Sequence, residues 1–165
     1  MKRIGVMLMA ISLLLVGLVG CAGGKDPAPA ANPFDGMTLE EVLDKVYEGT
    51  TVLDSIPSLG TLEITAETAE AFLGTSDIDM KEAIASEPMI SSIAYSVCLV
   101  RMNEGADVEA AAKAIKDGVN PGKWICVQVD PANVAVDTAG DVIILVMSND
   151  YAAEILESFQ ALKNA

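Results

Sequence analysis

The chain has 165 residues, 24 acidic against 10 basic, for a formal net charge of −14, and it contains no histidine. So acidic a chain is repelled by nucleic acid and by anionic lipid headgroups. Without imidazole, His-dependent acyl transfer, His-ligated zinc and histidine acid–base chemistry are excluded within it.

The first element is a signal. Lys2 and Arg3 form a positive start, residues 4–19 are almost wholly apolar, and Leu18-Val19-Gly20-Cys21 closes the run. The run is short for a membrane span, which needs about 20 apolar residues, and its approach through a small residue favours cleavage. The pattern resembles the bacterial lipobox, in which the cysteine sulfur takes a diacylglycerol and becomes the new N-terminus. Residues 1–20 are therefore read as a lipoprotein signal peptide and Cys21 as the lipidation site, with acyl chains of the palmitate kind. Losing Lys2 and Arg3 moves the formal charge from −14 to −16, so the lipid, not a basic face, would hold the protein to the membrane.

Residues 21–36 read as a flexible tether. Asp26-Pro27-Ala28-Pro29-Ala30-Ala31-Asn32-Pro33 is proline-rich and offers little to bury. Phe34 either packs onto the domain or marks its boundary. Residues 37–165 then form one domain, long enough for a real core.

Thr38-Leu39-Glu40-Glu41 predicts a capping box, with Met37 stapled to Val42 and Glu41 paired to Lys45. Leu39, Val42, Leu43, Val46 and Tyr47 form one apolar stripe. Residues 51–61 read as a loop punctuated by Pro57 and Gly60. A short helix follows over 65–73, capped by Thr65 and stopped by Gly74. Asp77, Asp79 and Glu82 lack the spacing of a calcium loop and read as a solvated turn.

Residues 81–86 predict an edge strand that ends near Glu87-Pro88. Residues 93–102 form a stronger strand. Ile93, Tyr95, Val97 and Leu99 share one face and Ala94, Cys98, Val100 and Met102 the other, so both sides should be covered. Asp107 caps a helix carrying Val108, Ala111, Ala112, Ile115 and Val119, with Glu109 placed to pair with Lys113. Residues 124–129 read as a strand. Residues 133–136 and 142–147 form a hairpin around a longer loop at 137–141. A last amphipathic helix, capped by Asn149 or Asp150, carries Tyr151, Ile155, Leu156, Phe159 and Leu162. The fold class is α+β: one small domain with a mostly antiparallel sheet packed by amphipathic helices.

The stretches Glu82-Ala83-Ile84-Ala85-Ser86-Glu87-Pro88-Met89-Ile90, Val97-Cys98-Leu99-Val100-Arg101 and Lys123-Trp124-Ile125-Cys126-Val127 resemble a known family, as does the run from Val136 through Asp137-Thr138-Ala139-Gly140-Asp141 to Met147. That family is the domain of unknown function number 4358. It comprises poorly characterised lipoproteins and exported proteins, chiefly of clostridial-type bacteria. The resemblance spans residues 37–147 and implies location and a small α+β domain. It carries over no catalytic or ligand residue.

The candidate chemical groups are few. Cys98 and Cys126 read either as buried thiols or as a disulfide that export would permit. Glu87, Arg101, Asp137 and Asp141 are the polar residues placed where a strand breaks, is interrupted, or turns. Trp124 beside Lys123 offers either a binding edge or a packed indole. No metal set and no cofactor motif is present. The reading is a lipid-anchored protein on the extracytoplasmic face of the bacterial cell membrane, with a non-enzymatic binding or accessory role toward an envelope protein or ligand. The alternative is a carboxylate-dependent envelope enzyme in which Glu87, Asp137 or Asp141 converges with Arg101.

Overall fold

The computed structural model describes residues 32–165 apart from Pro57 and Ser91. The signal peptide, Cys21 and most of the tether lie outside the described residues, as does the punctuating Pro57. No described helix is long and apolar enough to cross a membrane.

The chain alternates helices and strands around one sheet. Helix α1 (Leu39–Glu48) and the single turn α2 (Val52–Ser55) come first, then strand β1 (Leu59–Glu63) and helix α3 (Ala69–Leu73). Strands β2 (Met80–Pro88) and β3 (Tyr95–Met102) follow, then α4 (Val108–Gly118). A 3-10 turn at Pro131–Asn133 leads into β4 (Val134–Ala139), β5 (Val142–Ser148) and α5 (Ala152–Lys163). The sheet is antiparallel throughout, in the order β1-β2-β3-β5-β4.

Both faces of the sheet are covered. On one face α1, α5 and Phe34 bury Tyr95, Val97 and Leu99 of β3 with Val142, Ile144 and Val146 of β5. On the other, α3 and α4 bury Cys98, Val100 and Met102 with Ile143, Leu145 and Met147. The two-faced reading of β3 is therefore the observed one. Val97, Leu99, Ile143, Leu145 and Met147, expected in the core, have no exposed surface. Each such side chain contributes roughly 1.5–3 kcal/mol by leaving water, which is why the two central strands are apolar on both faces.

The helix starts follow local chemistry. Thr38 accepts from the Glu41 N–H while the Glu41 carboxylate accepts from the Thr38 N–H, closing the capping box. Glu41 forms no ion pair with Lys45 among the described residues. Asp107 caps α4 through the Ala110 N–H. Lys113 pairs forward with Asp117 rather than back with Glu109, which accepts from Thr138 instead. Neither Asn149 nor Asp150 caps α5. The Ser148 hydroxyl accepts from the Tyr151 N–H, and Asn149 ties the preceding loop by accepting from Asp130 N–H and donating to the Gln128 carbonyl.

Several boundaries differ from the sequence reading. Residues 32–36 belong to the packed domain, not the tether: Phe34 is 2% exposed and stacks on the core. Residues 59–63 form a strand because β2 offers them a partner, so β2 is an inner strand and β1 the edge. Thr65 closes a turn with Thr68, and α3 begins only at Ala69. Residues 124–129 are not a strand. Lys123 and Trp124 anchor this segment over the sheet face, Ile125 stands 92% exposed, and Val129 is the buried residue of the run. The hairpin is tighter than expected, because β4 extends through Ala139 and only Gly140 and Asp141 turn, Gly140 at φ 60°.

Candidate functional site

The candidate polar residues fall into separate groups. Arg101 lies near the end of β3, on the face covered by α1 and α5, and is 8% exposed. Opposite it on β2 the register shifts between Met80 and Glu82, so Lys81 is the extra residue of a bulge. A bulge twists a strand and redirects its side chains. Here it brings Glu82 against Arg101, with Oε1 2.5 Å from Nη1. Asp141, in the β4–β5 turn, places Oδ2 3.7 Å from Arg101 Nε and accepts from Asn32 Nδ2 at 2.7 Å. A cavity of about 400 Å³ opens beside this group, with Lys81 and Asp35 also on its wall.

Glu87 sits at the other end of β2. It stands five residues along the strand from Glu82, roughly 17 Å. Its Oε1 takes Lys123 Nζ at 2.5 Å, and both side chains are largely buried. Lys123 also donates to Ser96 Oγ at 3.2 Å and lies over the rings of Phe72 at 4.8 Å and Trp124 at 5.2 Å. The Trp124 indole is thus part of a packed support rather than a free binding edge. This cation pins the irregular segment before β4 to the sheet.

Asp137 projects from β4 toward α5. Gln160 Nε2 donates to it at 2.9 Å and Lys163 Nζ at 3.2 Å, and its own carboxylate takes the Thr138 N–H at 2.7 Å. Partial burial pushes its carboxyl up, but these donors outweigh burial and hold it below the ordinary carboxylate range. Lys116 on α4 donates to the Val134 carbonyl, so β4 is braced by side chains from both α4 and α5.

The cysteines do not pair. Cys98 is buried and Cys126 exposed, both free. Burial pushes the Cys98 thiol up to about 11, against opposing effects from Lys123 and the Ser96 hydroxyl. A neutral, enclosed thiol is a poor nucleophile. A chain of hydroxyls occupies the opposite sheet face: Tyr47 lies 2.7 Å from Ser86 Oγ and 2.9 Å from the Tyr95 hydroxyl. Burial raises both tyrosines above the usual range, so they act as neutral structural hydroxyls.

Of the expected carboxylates only Asp141 meets Arg101. Glu87 and Asp137 are each committed to a lysine elsewhere, so the convergence required by the carboxylate-enzyme alternative does not form. The residues that sequence reading missed at Arg101 are Glu82, taken for a solvated turn, Lys81 and Asn32. An arginine within an otherwise apolar strand signals a buried counter-charge, but naming it requires the strand register. Among the described residues no group of three or more acidic, cysteine or histidine side chains is placed to hold a metal ion. Comparison with protein-family models, curated proteins and solved structures finds no match in any of the three.

Proposed function

We propose that this chain is a lipoprotein of the extracytoplasmic face of the bacterial cell membrane, anchored through Cys21, whose domain has a non-enzymatic binding or accessory role at the envelope. The observation that carries the reading is the ordered run of Lys2 and Arg3, an apolar stretch, and Leu18-Val19-Gly20-Cys21. The resemblance to the domain of unknown function number 4358 supports the same location. The dispersal of Glu87, Arg101 and Asp137 into separate bonded groups favours binding over catalysis, since acid–base work needs such groups around one reacting atom.

Intact mass after detergent extraction tests the anchor. The native chain is expected to begin at Cys21 and carry acyl mass, and Cys21→Ser to lack it, because a hydroxyl does not replace the thiol in this modification. An unmodified native N-terminus at Ala22 or beyond would overturn the anchor. Crosslinking in intact envelopes followed by mass spectrometry tests the binding role. A specific envelope protein or ligand recovered across growth states supports it, and reproducible hydrolytic activity with no specific partner refutes it.

A further inference from the structure

The two edges of the sheet are finished differently. At the β4 edge the outward backbone groups belong to Val134, Val136 and Thr138, which alternate with the residues bonded to β5. Much of that edge is closed. The Val134 N–H donates to the Pro131 carbonyl, the Val134 carbonyl accepts from Lys116, and the Thr138 N–H donates to the Asp137 carboxylate. At the β1 edge, the Ile64 N–H donates to the Ala83 carbonyl and the Met89 N–H to the Ser58 carbonyl. Alternation along the ladder then turns the N–H and C=O of Leu59, Thr61 and Glu63 away from β2. Among the described residues none of these groups has a hydrogen-bond partner. The strand, Leu59-Gly60-Thr61-Leu62-Glu63, also lacks the proline, lysine or bulge that usually discourages pairing at an edge.

Side chains at this edge are complementary to themselves. Gly60 and Leu62 share one face of β1, the face that continues to Ile64 and the cover of α3 and α4. Met89 folds back over Gly60, so that a side-chain carbon at Gly60 would lie 2.6 Å from its sulfur. Leu62 is 48% exposed and Met89 73%. We propose that β1 pairs antiparallel with β1 of a second copy of this chain, about a two-fold axis at Thr61. In that register the whole strand is used: Leu59 faces Glu63 of the second copy, Gly60 faces Leu62, and Thr61 faces Thr61. Every outward N–H and C=O gains a partner. Leu62 of each copy packs on the Met89 that roofs Gly60 of the other, alike in both halves, as an isologous contact requires. The Thr61 pair is a favourable cross-strand match, and Glu63 meets leucine rather than its own like charge. A strand of another protein would find the same backbone but would have to bring its own match to Leu62 and Met89. The contact is small, in the class of transient association. It does not depend on the anchor, although two chains held on one membrane meet at a higher effective concentration.

Disulfide trapping of the full chain in intact cells tests the contact. Cys21→Ser and Cys126→Ser remove two of the native thiols, and the third, Cys98, is enclosed. In that background Thr61→Cys sets two thiols across the axis, with Cα atoms about 5.5 Å apart, within the span of a disulfide. Oxidation with diamide is expected to give a covalent dimer. Glu63→Cys, exposed on the same strand, lies roughly 14 Å along the ladder from its counterpart. It should give at least about tenfold less dimer, because that distance is beyond a disulfide. Adding Leu62→Lys or Met89→Lys to Thr61→Cys should lower the yield by at least about tenfold, since each removes an apolar contact on both sides of the axis. Met89 lies beyond the end of β2, so its replacement leaves the β1–β2 ladder in place. No dimer from Thr61→Cys would overturn the pairing. Equal yields from Thr61→Cys and Glu63→Cys would show random collision and overturn the register. A yield unchanged by Met89→Lys would overturn the apolar match. Thr61→Cys trapped on a different protein, and not on itself, would give the edge to another chain's strand and overturn the second copy.

Discussion

Phe34 packs against Phe159, the ring centroids 5.5 Å apart and the planes tilted by 37°. The segment that enters the domain is thereby fastened to its last helix. Phe34→Ala should destabilise the domain by about 3–5 kcal/mol, the usual cost of emptying a buried aromatic site. Thermal unfolding of Phe34→Ala against the parent chain checks this. An unchanged midpoint would return residues 32–36 to the tether.

Gly74 ends α3 at φ 73°, and a side-chain carbon there would run into the backbone of Gly118 at the end of α4. Both the left-handed backbone and the close approach of the two helix ends demand glycine. Gly74→Ala is expected to cost about 2–4 kcal/mol, more than the strain of a positive φ alone. Gly36→Ala, also at positive φ but with open space around it, is the control and should cost less in chemical denaturation.

The tyrosine pair separates two kinds of loss. Tyr47→Phe removes the hydroxyl that contacts both Ser86 and Tyr95, and leaves two buried polar groups short of a partner. Tyr95→Phe leaves Tyr47 still bonded to Ser86. Urea denaturation should give about 1–3 kcal/mol for the first and about 0.5–1.5 kcal/mol for the second. The reverse order would place the structural weight on Tyr95.

Thiol accessibility should be two-stepped. In a Cys21→Ser chain, Cys126 is expected to react with a disulfide reagent within the mixing phase at neutral pH. Cys98, enclosed and held protonated, should react only at the rate of opening or unfolding. Two fast equivalents in the folded chain, or none because the pair is oxidised, would contradict the free and unequal state of these residues.

Asp137 ties stability to pH. Its folded carboxyl lies below the ordinary range, so the unfolded state binds the proton more readily. The stabilisation is present above the unfolded value, near pH 4, and is lost as pH falls through the folded one. Asp137→Asn should therefore be less stable than the parent at neutral pH, with the difference shrinking below about pH 4. A gap between the two that stayed constant into acid would show that Asp137 acts through packing rather than charge.

Local chemistry makes much of this domain legible in its amino-acid sequence. The Thr38 capping box, the Asp107 cap and the stop at Gly74 involve groups a few residues apart, whose bonding depends little on the rest of the fold. The two apolar faces of β3 are readable from alternation, and with them the need for cover on both sides. Partnership is not readable in this way. Leu59–Glu63 becomes a strand because β2 lies alongside it, whereas residues 124–129, with stronger strand character, stay irregular because Lys123 reaches Glu87 and holds them over the sheet face. The same holds for Arg101. Its position in an apolar strand announces a buried charge, but Glu82 and Asp141 reach it through a one-residue bulge and a two-residue turn. Backbone pairing and charge compensation join residues far apart in the chain, so composition and spacing specify which groups need partners, and only the packed sheet decides which they find.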